Sequence, residues 1–402
     1  VRICARHVCP LIGWGTGSSL EGHTSAIRGG VSVDFTQMDK VLQINVEDMN
    51  VVIEPGLTRQ KLNEELRSTG LFFPVDPGAN ASLGGMVATR ASGTTTVKYG
   101  SMKSNVLSLG IVLANGQFIQ TGNSAPKTSA GYDLTSLFTG SEGTLGLITE
   151  VTLRLHPQPE AISAGIVAFD DINSAVGAVI QTMQFSLPMA RIEFVDAATS
   201  IAFNAFSGAE MPEKPHLLFE LHGSEETVTS GAEIFQHICS EMGGKNYRWS
   251  IKTEERTALW AMRHKALYAI LASKPGGRSL VTDICVPLSK LSKAISETSK
   301  DIEKSSIEGP IFGHLGDGNF HAILLIDPES PKDKEEAFRL SDRMIQRALE
   351  LGGTCSGEHG VGMGKLKYME AQHGYGWEVM GQIKRQLDPL NIMNPGKLVR
   401  QN

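Results

Sequence analysis

Apolar positions fall into two textures along the chain. Up to about residue 158 they come in short β-type runs, GGVSVDF, VVIEPG, LGIVLANG and LGLITEVTLRL, set between glycine-dense loops. Helical stretches such as TRQKLNEELRSTG lie among them, with Thr58 and Gly70 suited to a cap and a stop. After HPQPE (156 to 160) the pattern becomes repeated strand, helix, strand units. They read AGIVAF, NSAVGAVIQTMQ and MARIEFVD, then HLLFELHG, SEETVTSGAEIFQHICSEM and a strand near YRWSI. A third unit runs from LVTDICVP through a helix starting near Leu288, with Leu291, Ile295 and Ile302 on one face, to IFGHLGDGNFHAILLI. A long helix is predicted from about Lys332 to Leu351, stopped at Gly352 and Gly353, and Pro389 and Pro395 are expected to close helical segments of the tail. The pattern predicts an α+β protein whose later part is an antiparallel or mixed sheet with helices on one face, with a domain boundary near residue 158.

Within residues 311 to 326, Asp317 and Gly318 lie between two extended runs, the signal of a tight hairpin. With these two at the tip, His314 is expected directly opposite His321. Their Cβ atoms would be roughly 5 Å apart on one face, close enough for two imidazoles to reach one ion. The bland alternative is a pair of polar residues on a solvated sheet face. A carboxylate is offered by GTCSGEHGVG, where Glu358 and His359 stand between glycines, although a capped turn is the commoner meaning of that motif. Two histidines and one carboxylate leave open positions on a divalent ion such as Mn²⁺, Zn²⁺ or Fe²⁺.

The 402 residues suffice for two domains, or for one large discontinuous one, and the formal charge of -6 with interspersed signs gives no basic stripe for nucleic acid. Five scattered cysteines, Cys4, Cys9, Cys239, Cys285 and Cys355, fit a reducing compartment. Cys4, His7 and Cys9 are near enough for a zinc reading, against a helix running into the strand CPLIGWG. No apolar run approaches the roughly 20 residues that span a bilayer. The start, VRICARHV, has neither a signal peptide's apolar core nor a methionine, so a leader or a first structural unit is expected to precede it.

Three loops are dense in glycine: GWGTGSS (13 to 19), DPGANASLGGM (76 to 86) and TGSEGTLG (139 to 146). Each alone reads as a tight turn, while three in one domain suit a large phosphate-bearing cofactor. Ser18 stands where a dinucleotide fingerprint has its third glycine, which disfavours a Rossmann fold.

GWGTGSSLEGH, PVDPGANASLGGMVATRASG, VKYGSM, SAGYDLTSLFTGSEGTLGLITEVTLRLHP, GHLGDGNFH, GEHGVGMGK and NPGKL, in this order along essentially the whole chain, resemble the flavin-dependent D-lactate dehydrogenases of the vanillyl-alcohol-oxidase, PCMH-type FAD-binding family. The resemblance implies an FAD-binding domain over 1–157, lacking its N-terminal portion, and a cap domain over 158–350 with a large antiparallel sheet and ferredoxin-like βαβ units. Residues 351–402 would carry the metal and base motif back to the FAD domain. By the same resemblance the FAD pyrophosphate would lie on Gly15, Thr16, Gly17 and Ser18. Pro77, Gly78, Ser82, Gly84, Gly85, Ser92, Gly93, Gly143, Thr144, Gly146 and Ile148 would line the rest, and Asn394 would approach the ring system. A flavin-linking histidine is absent from the first loop, where Gly17, Ser18 and Ser19 stand and His23 is displaced, so FAD is expected to be non-covalent.

The chemistry implied is oxidation of a D-2-hydroxy acid by hydride transfer to FAD N5. His314, His321 and Glu358 would hold a Lewis-acid ion and His359 would take the hydroxyl proton. Arg263, one helical turn from Trp260 in LWAMRHKAL, would face the substrate carboxylate, its alternative being an exposed helix position. Leu267 and Val281 are apolar where related 2-hydroxyglutarate dehydrogenases use polar residues, which favours D-lactate or D-2-hydroxybutyrate. Cytochrome c or a quinone is the implied electron acceptor, and a mitochondrion the implied location. D-2-hydroxyglutarate or glycolate as substrate, a non-catalytic electron-relay subunit, and a flavin-free metallohydrolase remain as alternatives.

Overall fold

The structure, a computed structural model, describes residues 1–125 and 127–400. They form two compact units, one of residues 1–95, 99–125, 127–158 and 358–400, the other of Thr96–Lys98 and Pro159–Gly357.

In the first unit an antiparallel sheet runs in the order Val41–Asn45, Asn50–Ile53, Gly146–Arg154, Val106–Leu113, Phe118–Gln120. Alternation in these runs turns Val51, Ile53, Leu109, Ile111, Val151 and Leu153 into a core shared with Leu62 of the helix Arg59–Glu65 and Met86 and Val87 of Leu83–Thr89. Thr58 caps the first of these helices by accepting from the Lys61 N–H, at 3.3 Å.

A separate parallel pair joins Leu11–Trp14 to Val31–Asp34, and the tail closes on it. Leu11 N donates to Ile392 O at 2.7 Å, and Asn394 N donates to Leu11 O at 2.8 Å. Pro389 follows the helix Tyr375–Leu387 as expected, but Pro395 closes no helix. The buried Lys384 ammonium explains the difference, because it donates to Thr144 O and Met393 O, each at 2.7 Å, and to Asp388 at 2.5 Å. Asp388 in turn accepts from the Ile392 and Met393 N–H groups, so residues 391–394 are held as a bridge.

The second unit is built on an eight-stranded antiparallel sheet. Its order is Lys245–Ser250, Ala161–Ala168, His216–Gly223, Met189–Val195, Ile311–His314, Asn319–Ile326, Arg278–Val281, with Ile284–Cys285 also on Asn319–Ile326. The first four strands, crossed over by Ile172–Gln184 and Glu225–Glu241, form the ferredoxin-like arrangement. Asp171 and Ser224 cap these two helices.

Helices cover both faces of the sheet, not one. Phe219 and Phe235 pack at 4.5 Å between ring centroids on one face. On the other, Ala164, Ile166, Val195, Leu218, Ile323 and Leu325 pack under Ala197–Ser207, Thr253–His264 and Ala266–Ala272. Strands such as LLFEL are apolar at nearly every position, and a sheet of that kind needs a layer on each side. Among the described residues no helix is long and apolar enough to cross a membrane.

Candidate functional site

The histidine hairpin differs from expectation in its turn. Ile311–His314 passes through a 3-10 turn, Leu315–Asp317, and only Gly318 takes positive φ, at 84°. His314 therefore pairs with Asn319, and Phe312 with His321, which corrects the direct His314–His321 pairing. Burial explains the longer loop. Leu315 is fully buried, and a Cβ on Gly316 would lie 2.6 Å from Ile192 and 2.7 Å from Val97. A shift of two positions keeps both rings on one face, where they meet edge to face with centroids 5.7 Å apart.

Each of these rings has its Nδ1 committed. His321 Nδ1 donates to Thr282 O at 2.9 Å, since a carbonyl only accepts, so in the neutral ring the lone pair is on Nε2. His314 Nδ1 lies 2.7 Å from Glu193 Oε1. Glu193 sits directly across from His314 on Met189–Val195 and is fully buried. Its other oxygen accepts from Arg263 Nη2 at 2.6 Å. Burial alone would push this carboxyl up, but the charge of Arg263 and the hydrogen bonds that Arg263 and His314 donate hold it below the usual carboxylate range. Asp283, also buried, holds Asn319 Nδ2 at 2.8 Å and Ser356 Oγ at 2.9 Å.

Arg263 is buried, which removes the exposed-helix alternative. Its guanidinium carbon stands 4.6 Å from the centre of the Phe312 ring, and among the described residues its Nε has no acceptor. Leu267, Val281 and Phe312 pack on the apolar cluster around Trp260 and Ile323.

The chain leaves this unit at Gly357, where a Cβ would lie 2.0 Å from Asn319 Nδ2 and 2.9 Å from Asp283 Oδ1. In the first unit, Glu358 and His359 follow, with His359 Nε2 at 3.7 Å from Glu358 Oε1 and Ser92 Oγ donating to Glu358 at 3.4 Å. Glu142 anchors their loop, accepting from Val361 N at 2.7 Å and Gly362 N at 2.8 Å. Positive φ at Glu142 (54°) and Gly360 (81°) permits this approach.

The glycine loops divide into two groups. Thr16 accepts from Ser82 N at 3.4 Å, joining the first loop to the second, and a Cβ on Gly15 would fall 2.1 Å from Ser82 Oγ. Among the described residues Ser82 Oγ is buried without a partner, although Ser82 stands at the cap of Leu83–Thr89. Gly85 also faces that hydroxyl, whereas Gly17, Ser18 and Gly78 are exposed and Pro77 is half-buried. An unspent hydroxyl beside backbone that only glycine can supply suits a polar group of the cofactor. Gly143 takes positive φ, and Asn394 ties its loop to the first by donating to Glu142 O at 2.7 Å and His23 O at 3.0 Å.

The second group faces protein. A Cβ on Gly84 would meet Pro55, on Gly93 Asp76, and on Gly146 Ile111, at 2.4, 2.4 and 2.7 Å. Thr144 spends its hydroxyl on Ser141 O, and Ile148 lies in the core.

Glu193, Glu142 and Asp283 escaped the sequence reading. The signal for Glu193 was present, since a lone carboxylate inside ARIEFV cannot be buried without partners. A second buried group, Glu220 with His222 Nε2 at 2.7 Å and Arg191 at 3.3 Å, follows the same rule on the next strand.

Residues 158–398 match the family described as FAD linked oxidases, C-terminal domain, and residues 1–122 match FAD binding domain. The chain is 44% identical over 402 residues to a probable mitochondrial D-lactate dehydrogenase of Danio rerio, covering 99% of this chain and 81% of that protein. It is 43% identical over 400 residues to a mitochondrial D-lactate dehydrogenase (cytochrome) of Arabidopsis thaliana, covering 99% and 70%. A glycolate oxidase subunit of Bacillus subtilis is 34% identical over 403 residues, covering 99% and 85%. The fold is shared with a 4-ethylphenol oxidase from Gulosibacter chungangensis, with a TM-score of 0.79 at 17% identity, covering 98% of this chain and 86% of that one. Matched over nearly its whole length by both domains and by these relatives, the chain belongs to the family of FAD-linked oxidoreductases built on the p-cresol-methylhydroxylase type of FAD-binding domain.

Proposed function

We propose that this chain oxidises D-lactate and similar small apolar D-2-hydroxy acids to 2-oxo acids, with non-covalent FAD and a divalent ion, in mitochondria. The observation that carries the metal part is the matched Nδ1 commitment of His314 and His321, which turns both Nε2 lone pairs to ligation in the manner of metal-bound histidines. Glu358 completes the proposed set, as the family resemblance implies. When bound, FAD supplies a two-electron acceptor and the ion, Mn²⁺, Zn²⁺ or Fe²⁺, a Lewis acid.

The chain's own residues do the rest. His359 takes the proton of the substrate hydroxyl, and Arg263, whose buried Nε lacks an acceptor among the described residues, orients the carboxylate. Gly15, Ser82 and Gly85 hold the cofactor's polar groups, with Gly143 and Asn394 shaping the loop beyond. Leu267 and Val281 offer no counter-charge to a second carboxylate, which favours an apolar substrate side chain. The cytochrome named in the Arabidopsis relative supports cytochrome c as acceptor.

The glycolate oxidase relative supports glycolate as a second reading. Rates at limiting substrate separate the two. The proposal expects kcat/KM to be highest for D-lactate and D-2-hydroxybutyrate and low for D-2-hydroxyglutarate; preference for glycolate, or for the dicarboxylate, would overturn the substrate assignment.

A further inference from the structure

Glu193 divides its two oxygens between two groups of the proposed site: Oε1 faces His314 Nδ1 at 2.7 Å and Oε2 faces Arg263 Nη2 at 2.6 Å. Any β-branched residue would serve the strand at this position, and a buried carboxylate is costly unless its partners need it. We propose that Glu193 is a positioning residue that fixes the ring tautomer of His314, so that His314 presents Nε2 to a divalent ion; the role in ligation rests on the metal reading above.

The chemistry permits one arrangement. A guanidinium only donates, so one carboxylate oxygen is always held by Arg263. The other oxygen, being an acceptor, draws the imidazole proton to Nδ1. In Glu193→Gln, which is nearly isosteric, the amide oxygen must turn to Arg263 and the amide NH₂ to His314. Nδ1 must then accept, the ring proton moves to Nε2, and the ligating lone pair is lost. The competing account makes Glu193 a buried ion-pair partner that merely holds the helix Thr253–His264 to the sheet. That account gives no reason for the tautomer to change.

Two measurements on the FAD-loaded full chain separate these accounts. In the first, Mn²⁺ and Zn²⁺ affinities are determined by chelator competition for wild type, Glu193→Gln and Arg263→Met, with flavin content as a control. The proposal expects affinity in Glu193→Gln to fall about 10- to 100-fold at unchanged flavin content, and affinity in Arg263→Met, which keeps the Glu193 Oε1 acceptor facing Nδ1, to fall less. Equal loss in both variants, or wild-type affinity in Glu193→Gln, would overturn it.

In the second, the metal-free protein is labelled with ¹⁵N in its histidine rings, and the His314 signals are identified by their loss in His314→Asn. The expected result is the Nδ1–H tautomer in wild type and Nε2–H in Glu193→Gln. An Nε2–H ring in wild type would overturn the proposal even if the variant does not fold. A wild type that binds neither ion defeats the metal reading and the ligation role with it, while the tautomer result still decides whether Glu193 sets the ring.

Discussion

His359 and Arg263 differ in what their removal leaves behind. His359 lies in a loop anchored by Glu142 through backbone N–H groups, so replacing its ring leaves that anchor in place. His359→Gln is expected to lower kcat for D-lactate by roughly 10²- to 10⁴-fold while flavin content and Tm stay near wild type; an unchanged kcat would assign proton transfer to another group. Arg263 instead neutralises a fully buried carboxylate. Arg263→Met is expected to raise KM and also to cost about 3–5 kcal/mol of stability, because Glu193 loses a charge partner. Adding Glu193→Gln to that variant should restore much of the Tm but not the KM. Recovery of both would mean that Arg263 serves the fold alone.

Between the sheet and the helix Ala197–Ser207, two titrating groups pull in opposite directions. Asp196 accepts from Thr199 N at 2.7 Å and Ile311 N at 2.9 Å, and burial raises its carboxyl from 3.8 to about 6. The folded chain therefore holds a proton that the unfolded chain has released, and this contribution to stability is lost as pH rises from about 4 to about 6. His216, held by Lys214 O and Ser200 Oγ, is lowered by burial from 6.5 to about 4. Here the unfolded chain binds the extra proton, so stability is lost as pH falls through the same range. Each contributes up to about 1.4 kcal/mol per pH unit, and the two largely offset. Denaturant unfolding between pH 4 and 6.5 is expected to show Asp196→Asn more stable at the upper end and His216→Asn more stable at the lower end. Slopes of the same sign in both variants would contradict this. The elements themselves were legible, since runs such as MARIEFVD and NSAVGAVIQTMQ became the strand and helix their patterns suggested. The hairpin turn was not, because Asp-Gly reports local preference while the burial of Leu315 and Gly316 is decided by Ile192 and Val97, far away in sequence.

Across the whole chain, the histidines, the Glu-His motif and the glycine loops were recognisable from residue type, spacing and family resemblance. The buried carboxylates around them were not. Glu193 and Asp283 sit on other elements, and their partners lie dozens of residues away. The glycines also looked alike in sequence, yet Gly15 and Gly85 face an unspent hydroxyl while Gly84, Gly93 and Gly146 face protein. Together these parts carry the proposal that flavin reduction by a D-2-hydroxy acid requires a divalent ion held by His314, His321 and Glu358. An anaerobic absorption spectrum recorded while D-lactate is added, repeated after chelation and again after return of Mn²⁺ or Zn²⁺, tests it directly. The account predicts flavin bleaching by D-lactate but not L-lactate, loss of bleaching in the chelated protein, and recovery with metal. Bleaching that is unaffected by thorough metal removal would contradict it.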